Sequence, residues 1–152
     1  MINITAAVIA GLAAAVAFSM FTGMARAMGM TTMSIEKTLG AMFGEGPTAA
    51  FAGWVMHLVS GIIFALIYAY MFSVIEVTNG WLIGGIIGLV HGLIIGAMVM
   101  PMMGVMHPAV RSGAITAPGF FAVNAGAMTP MGLVVGHILF GAVLGGVYLL
   151  IA

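Results

Sequence analysis

The segment GWLIGGIIGLVHGLIIGAMVM, Gly80–Met100, contains no charged residue, one histidine and a glycine at every fourth position from Gly84 to Gly96. A spanning helix needs about 20 predominantly apolar residues, and this stretch supplies them. Its glycines predict a ridge of small residues along one side, where another helix backbone can come close. Three more windows have the same character, roughly Ile4–Ala25, Ala50–Phe72 and Pro130–Ile151. Together they predict an all-α, integral membrane four-helix bundle forming a single transmembrane domain over residues 1–152.

Composition agrees with that prediction. Charged residues make up 4% of the 152 and hydrophobic ones 64%, with a net charge of zero. Soluble domains carry roughly 25% charge because water-facing surface must be solvated, so the solvent expected here is lipid. The balance gives no basic face for nucleic acid. With no cysteine, disulfides, thiolate metal sites and iron–sulfur clusters are excluded. The first window does not read as a cleaved leader, because its first cation, Arg26, follows the apolar run instead of preceding it.

The connections differ. A polar, turn-rich stretch with Glu36, Lys37, Glu45, Gly46 and Pro47 joins the first two spans, and a short turn at Glu76–Gly80 joins the next two. The third, Pro101–Thr129, is long and still apolar, so it is expected to pack back on the bundle in partly re-entrant fashion. Trp54 and Trp81 stand near helix starts, where interfacial aromatics are expected. Arg26, Lys37 and Arg111 fall on the side of the first and third loops. The positive-inside rule makes that side cytoplasmic and puts both termini outside, in a prokaryotic cytoplasmic membrane.

The chain also compares with itself. His57-x-x-x-Gly61 through Tyr68 repeats as His137-x-x-x-Gly141 through Tyr148, and Ile9-Ala-Gly11, Met24 and Met28 align with Ile83-Gly-Gly85, Met98 and Met102. The expectation is two tandem, parallel-related hairpins, about 1–78 and 79–152, with a pseudo-two-fold axis along the membrane normal.

Three histidines lie inside the spans. At a rise of ~1.5 Å per residue, His57 and His137 are about 10 Å from the presumed cytoplasmic edge and His91 about 14 Å. Intramembrane ionisable residues usually face the bundle interior or a cavity and are functional by default. One reading is a haem b held by His57 and His137, with Gly61 and Gly141 leaving room for the ring. Another is a transition metal (copper, zinc or iron) held by His57, His91 and His137, with Met24 and Met98 as soft ligands. The bland alternative is that each imidazole merely bonds a neighbouring helix. Methionine is abundant, 16 residues in all, and clusters at the ends of helices 1 and 3. Thioethers suit Cu(I), and Met100-Pro-Met-Met-Gly-Val-Met-His107 has a copper-handling composition, although methionine is also the usual filler of apolar gaps.

Some chemistries are disfavoured. The chain has no aspartate, and its three glutamates lie outside the spans, so a carboxylate relay across the bilayer is not expected. No nucleophile–base pair and no phosphate-cradling loop before a lysine occur. Two further readings stand beside cofactor binding. One is a non-catalytic accessory subunit or homo-oligomer docking through its glycine ridges. The other is a small channel or transporter.

The pattern His91-Gly, Met100-Pro, His107-Pro, Pro118-Gly-Phe, Asn124, Thr129-Pro, Gly136-His137 and Gly141 resembles a family of small four-helix prokaryotic membrane proteins of unknown function, some mislabelled as histidine kinases. That resemblance implies the same architecture and no established activity, and the chain has no room for a kinase catalytic domain.

Overall fold

A computed structural model of the chain describes residues 2–152. It is helical throughout, with no strand among those residues, and four of its helices are long and apolar enough to cross a membrane. Helix α1 (Ile4–Ala27) starts at Asn3, whose side chain accepts from the Ala6 N–H. Short α2 (Ile35–Gly40) leads through a 3₁₀ turn to α3 (Pro47–Ile75). After the turn, Asn79 caps α4 (Gly80–Ile94) by accepting from Leu82. Then come a π segment at Ile95–Val99, α5 (Met100–Met106), α6 (Pro108–Arg111) and α7 (Thr129–Ile151).

Two boundaries differ from the sequence expectation. The third span does not stop at Met100 but runs unbroken from Gly80 to Met106, with Pro101 inside it. Proline lacks an N–H and its ring collides with the carbonyl four residues back. The π segment widens the helix just before it, with Met100 N–H reaching the Ile95 carbonyl, and absorbs that collision. The first connection is not a solvated loop either, because α2 is pressed onto α3. A Cβ at Gly53 would fall on the Glu36 carbonyl, and one at Gly40 on the Ala49 carbonyl.

Helix pairing follows the small residues. The α4–α7 contact is the most extensive, and there Gly80, Gly84 and Gly88 lie against Gly145, Gly141 and His137 so closely that no Cβ fits at any of the three glycines. The α1–α3 contact is built the same way, Gly11 against Gly61 and Ala65. The two hairpins join through α1 and α7, whereas α3 and α4 keep their backbones apart. Only side chains bridge that seam: Tyr68 Oη lies 3.3 Å from His91 Nδ1, and the Phe64 and His91 rings are 4.1 Å apart. The α1–α7 and α3–α4 contacts, which a strict two-fold would equate, therefore differ.

The third connection folds back onto the bundle. Phe121 and Ala122 adopt left-handed backbone, φ 51° and 57°, at a cost of about 1–2 kcal/mol per residue. The turn places the Phe121 ring on Gly96. Thr32 N–H donates to the Ala125 carbonyl at 2.8 Å and Thr129 Oγ1 to Thr31 Oγ1 at 2.7 Å, so the first and third connections are stitched together.

Candidate functional site

Between the four long helices, in the half nearer α2, lies a cavity of about 610 Å³. His57, His91 and His137 all line it, as do Met24 and seven other methionines, while only a few hydroxyls, among them Ser60 and Thr22, interrupt its apolar wall. Met98 does not line the cavity; it sits 58% exposed on the outer side of the bundle.

The cavity is partly open to its surroundings, its wall is mostly apolar, and its volume is within the roughly 300–1,000 Å³ of small-molecule sites, so lipid chains or an apolar ligand suit it.

The histidines differ in how they are held. His137 Nδ1 lies 2.8 Å from the Leu133 carbonyl on its own helix, so that nitrogen carries the hydrogen and Nε2 keeps a lone pair. A ring N–H fixed by a backbone carbonyl is how ligating histidines are usually oriented. His57 is turned the other way: Nε2 donates to the Ala15 carbonyl at 3.2 Å, which leaves Nδ1 as its acceptor. His91 bonds Tyr68 through Nδ1, and its Nε2 is buried with no partner. The His91 and His137 rings are 4.8 Å apart. By contrast, Phe18 stands beside both His57 and His137, with ring centroids at 5.8 and 5.1 Å. The structure thus pairs His137 with His91, where the repeat suggested pairing it with His57.

Gly61 and Gly141 have other tasks than leaving room for a ring. A Cβ at Gly141 would fall on the Gly84 carbonyl, and one at Gly61 would meet Ala15 and Gly11, although Gly61 also borders the cavity. The glycines that let His137 approach α4 are Gly88 and Gly92. Among the described residues, no three His, Cys, Asp or Glu side chains lie close enough together to hold one metal ion. A histidine-only metal site thus lacks its third ligand, while one or two imidazoles facing a cofactor-sized void are available.

A buried polar cluster beside the cavity was not anticipated. Glu36, only 5% exposed, accepts from Ser19 Oγ at 2.6 Å and Ser34 Oγ at 2.7 Å, and Arg26 Nη1 lies 3.6 Å away. Burial pushes its carboxyl up, but the two hydroxyl hydrogen bonds, a backbone bond and the nearby His57 outweigh that and hold it below its ordinary value. The sequence signal was Ser34-x-Glu36, a helix start with a carboxylate in its first turn. His107, the fourth histidine, is buried outside the cavity and bonds the Thr38 carbonyl at 2.9 Å.

No family model matches this chain, and no curated protein and no solved structure is significantly similar to it.

Proposed function

We propose that this is an integral membrane binding protein whose cavity holds an apolar, metal-centred cofactor of the haem b class. His137 is the principal anchor, and His91 or His57 supports it. One observation carries the reading: three histidines face a single apolar void of about 610 Å³, and His137 presents an unengaged Nε2 from a backbone-fixed ring. A bare copper, zinc or iron ion held by His91, His137 and a thioether such as Met24 is the narrower form of the same idea. A single ion leaves most of the void unfilled, so the cofactor is preferred. Such a group, once bound, supplies one-electron chemistry. The chain's own residues orient it, exclude water and set the basicity of the ligating nitrogen.

Supporting this reading is the use already made of the glycine ridge. Gly84, Gly88, Gly92 and Gly96 all face α7 or Phe121 within the chain, which leaves no ridge there for an accessory-subunit or homo-oligomer contact. A channel would need a continuous polar path, and the cavity wall is mostly apolar. The proposal retains the duplicated hairpin as its origin, with the contact of Gly61 and Gly11 matched by that of Gly141 and Gly84, one residue away from the Gly85 that the repeat aligns with Gly11. It also retains a cytoplasmic-membrane setting with both termini outside.

A reduced-minus-oxidised absorption spectrum of the detergent-purified protein tests the proposal. We expect a sharp Soret and α-band, reduced at least tenfold in the His137→Ala variant. A flat spectrum with stoichiometric copper, zinc or iron by elemental analysis would leave only the bare-ion form. A flat spectrum without metal would discard both.

A further inference from the structure

Toward the loops, contacts between the connections cover part of the cavity. Hydrogen bonds from Thr32 to Ala125 and from Thr129 to Thr31 tie the first and third connections together beside it, His107 ties α2 to the third connection, and α2 is seated on α3.

One flank is different. Gly136 on α7 is held against Phe18 and Phe21 of α1, where an added Cβ would meet the rings at 2.9 Å and 3.4 Å. One turn nearer the loops, a Cβ on Gly132 would meet nothing within 4 Å. Here α1 and α7 have parted, and Gly132 borders the cavity. The gap is framed by Met24 on α1 and Met28 just past its end, 64% and 70% exposed, and by Met128 and Met131, 42% and 52% exposed, and all four also line the void. Methionine has no branch and three rotatable bonds, so a frame of thioether side chains can open without moving a helix.

We propose that this gap between α1 and α7 is a lateral portal through which a bilayer-dissolved molecule with a flexible hydrocarbon tail enters the cavity. The occupant follows from the surroundings. The portal opens at the loop-side end of α1 and α7, at the level of the membrane edge, where a lipid tail can pass inward while its polar end stays at the interface. Its four methionines carry no charge, the neighbouring Arg26 is paired with Glu36, and the gap continues into a cavity with a mostly apolar wall. The inference rests on the reading of this cavity as a binding site and adds to it a route of entry and a second class of occupant, a tailed lipophile, beside the haem-class cofactor.

The test uses the full chain in phosphatidylcholine vesicles containing palmitic acid with a photoactivatable diazirine. It is run on the unmodified protein and on the His137→Ala variant, which lacks the principal anchor. Labelling is mapped by mass spectrometry. We expect adducts on interior residues such as Ser60 and Phe64 in the His137→Ala chain. Adding Gly132→Trp, or Met28→Trp on the opposite side of the frame, should lower them at least tenfold, with adducts on outward-facing Ile63 and Val90 unchanged. Undiminished interior labelling in both portal variants would overturn the portal. So would no interior labelling in any chain, including the case where a cross-linked dimer shows a second copy covering the gap. The absorption spectrum reports separately: interior adducts without a haem band remove the haem reading and leave the portal.

Discussion

Replacing Gly141 with leucine should prevent stable folding, or lower the unfolding temperature in detergent by more than about 10 °C, whereas Gly132→Leu on the same helix should shift it by only a few degrees. The two glycines are on one helix, yet their surroundings are opposite. A Cβ at Gly141 lands on the Gly84 carbonyl and lies 2.9 Å from the Gly88 Cα; at Gly84 it lands on the Gly141 carbonyl in return. Those obstacles are backbone, which cannot rotate aside. Relief requires α4 and α7 to separate along their whole length. In lipid there is no hydrophobic drive between helices to resist that separation. What holds them is dispersion at close approach, which falls steeply with distance. Overpacking alone costs about 1–3 kcal/mol, and losing the most extensive interface in the bundle adds to it. Gly132 has open space where its side chain would be. Thermal unfolding of both variants, followed by size-exclusion chromatography, decides the matter. Equal stability for the two would mean that the α4–α7 glycine contact does not carry the fold.

The same contrast explains what could be read from the sequence. Spans depend on length and apolarity, so all four long helices were legible. Rotation about the helix axis was not legible. In a soluble helix one face is polar and the other inward, but these spans are apolar on every side, and no period marks the inner face. Hence Met24 and Met98 looked equivalent although one borders the cavity and the other faces outward. Likewise Gly61 and Gly141, read as space beside a histidine, are also contact points between backbones, and of the two only Gly61 borders the cavity. The pairing of His137 with His91 depends on α4 lying against α7 while parting from α3, a difference that the internal repeat conceals. Pro101 marked a break because proline ordinarily ends a helix, and the π segment that accommodates it has no sequence sign of its own.

The burial of Glu36 was the least legible feature, and it gives the second large effect. Glu36→Ala should destabilise the protein by about 3–5 kcal/mol, the usual result of removing one partner from a buried charged cluster. It strands the hydroxyls of Ser19 and Ser34 and leaves Arg26 without its carboxylate. The lower end of that range is expected, because Arg26 is 33% exposed and can turn its charge toward water. Glu36→Gln keeps the shape and one acceptor oxygen, so it should cost about 1.5–3 kcal/mol, the value of charge-assisted hydrogen bonds. The carboxyl is held below its ordinary value of 4.5 in the folded protein. A group depressed in this way binds protons more readily when unfolded, so its stabilisation is complete above the unfolded value and disappears as pH falls through the folded one. Unmodified protein should therefore lose stability below about pH 4.5. The other two glutamates, Glu45 and Glu76, are exposed and there is no aspartate, so Glu36→Gln should remove the carboxylate part of that loss and leave the part that comes from protonating the cavity histidines on unfolding. Unfolding temperatures of the two proteins between pH 3 and pH 7 supply the measurement, with the range set by ordinary carboxylate titration. Parallel curves would show that Glu36 does not hold α2 in place. Converging curves at low pH would tie α2, which packs on α3 beside the cavity and His57, to this one ionised carboxylate.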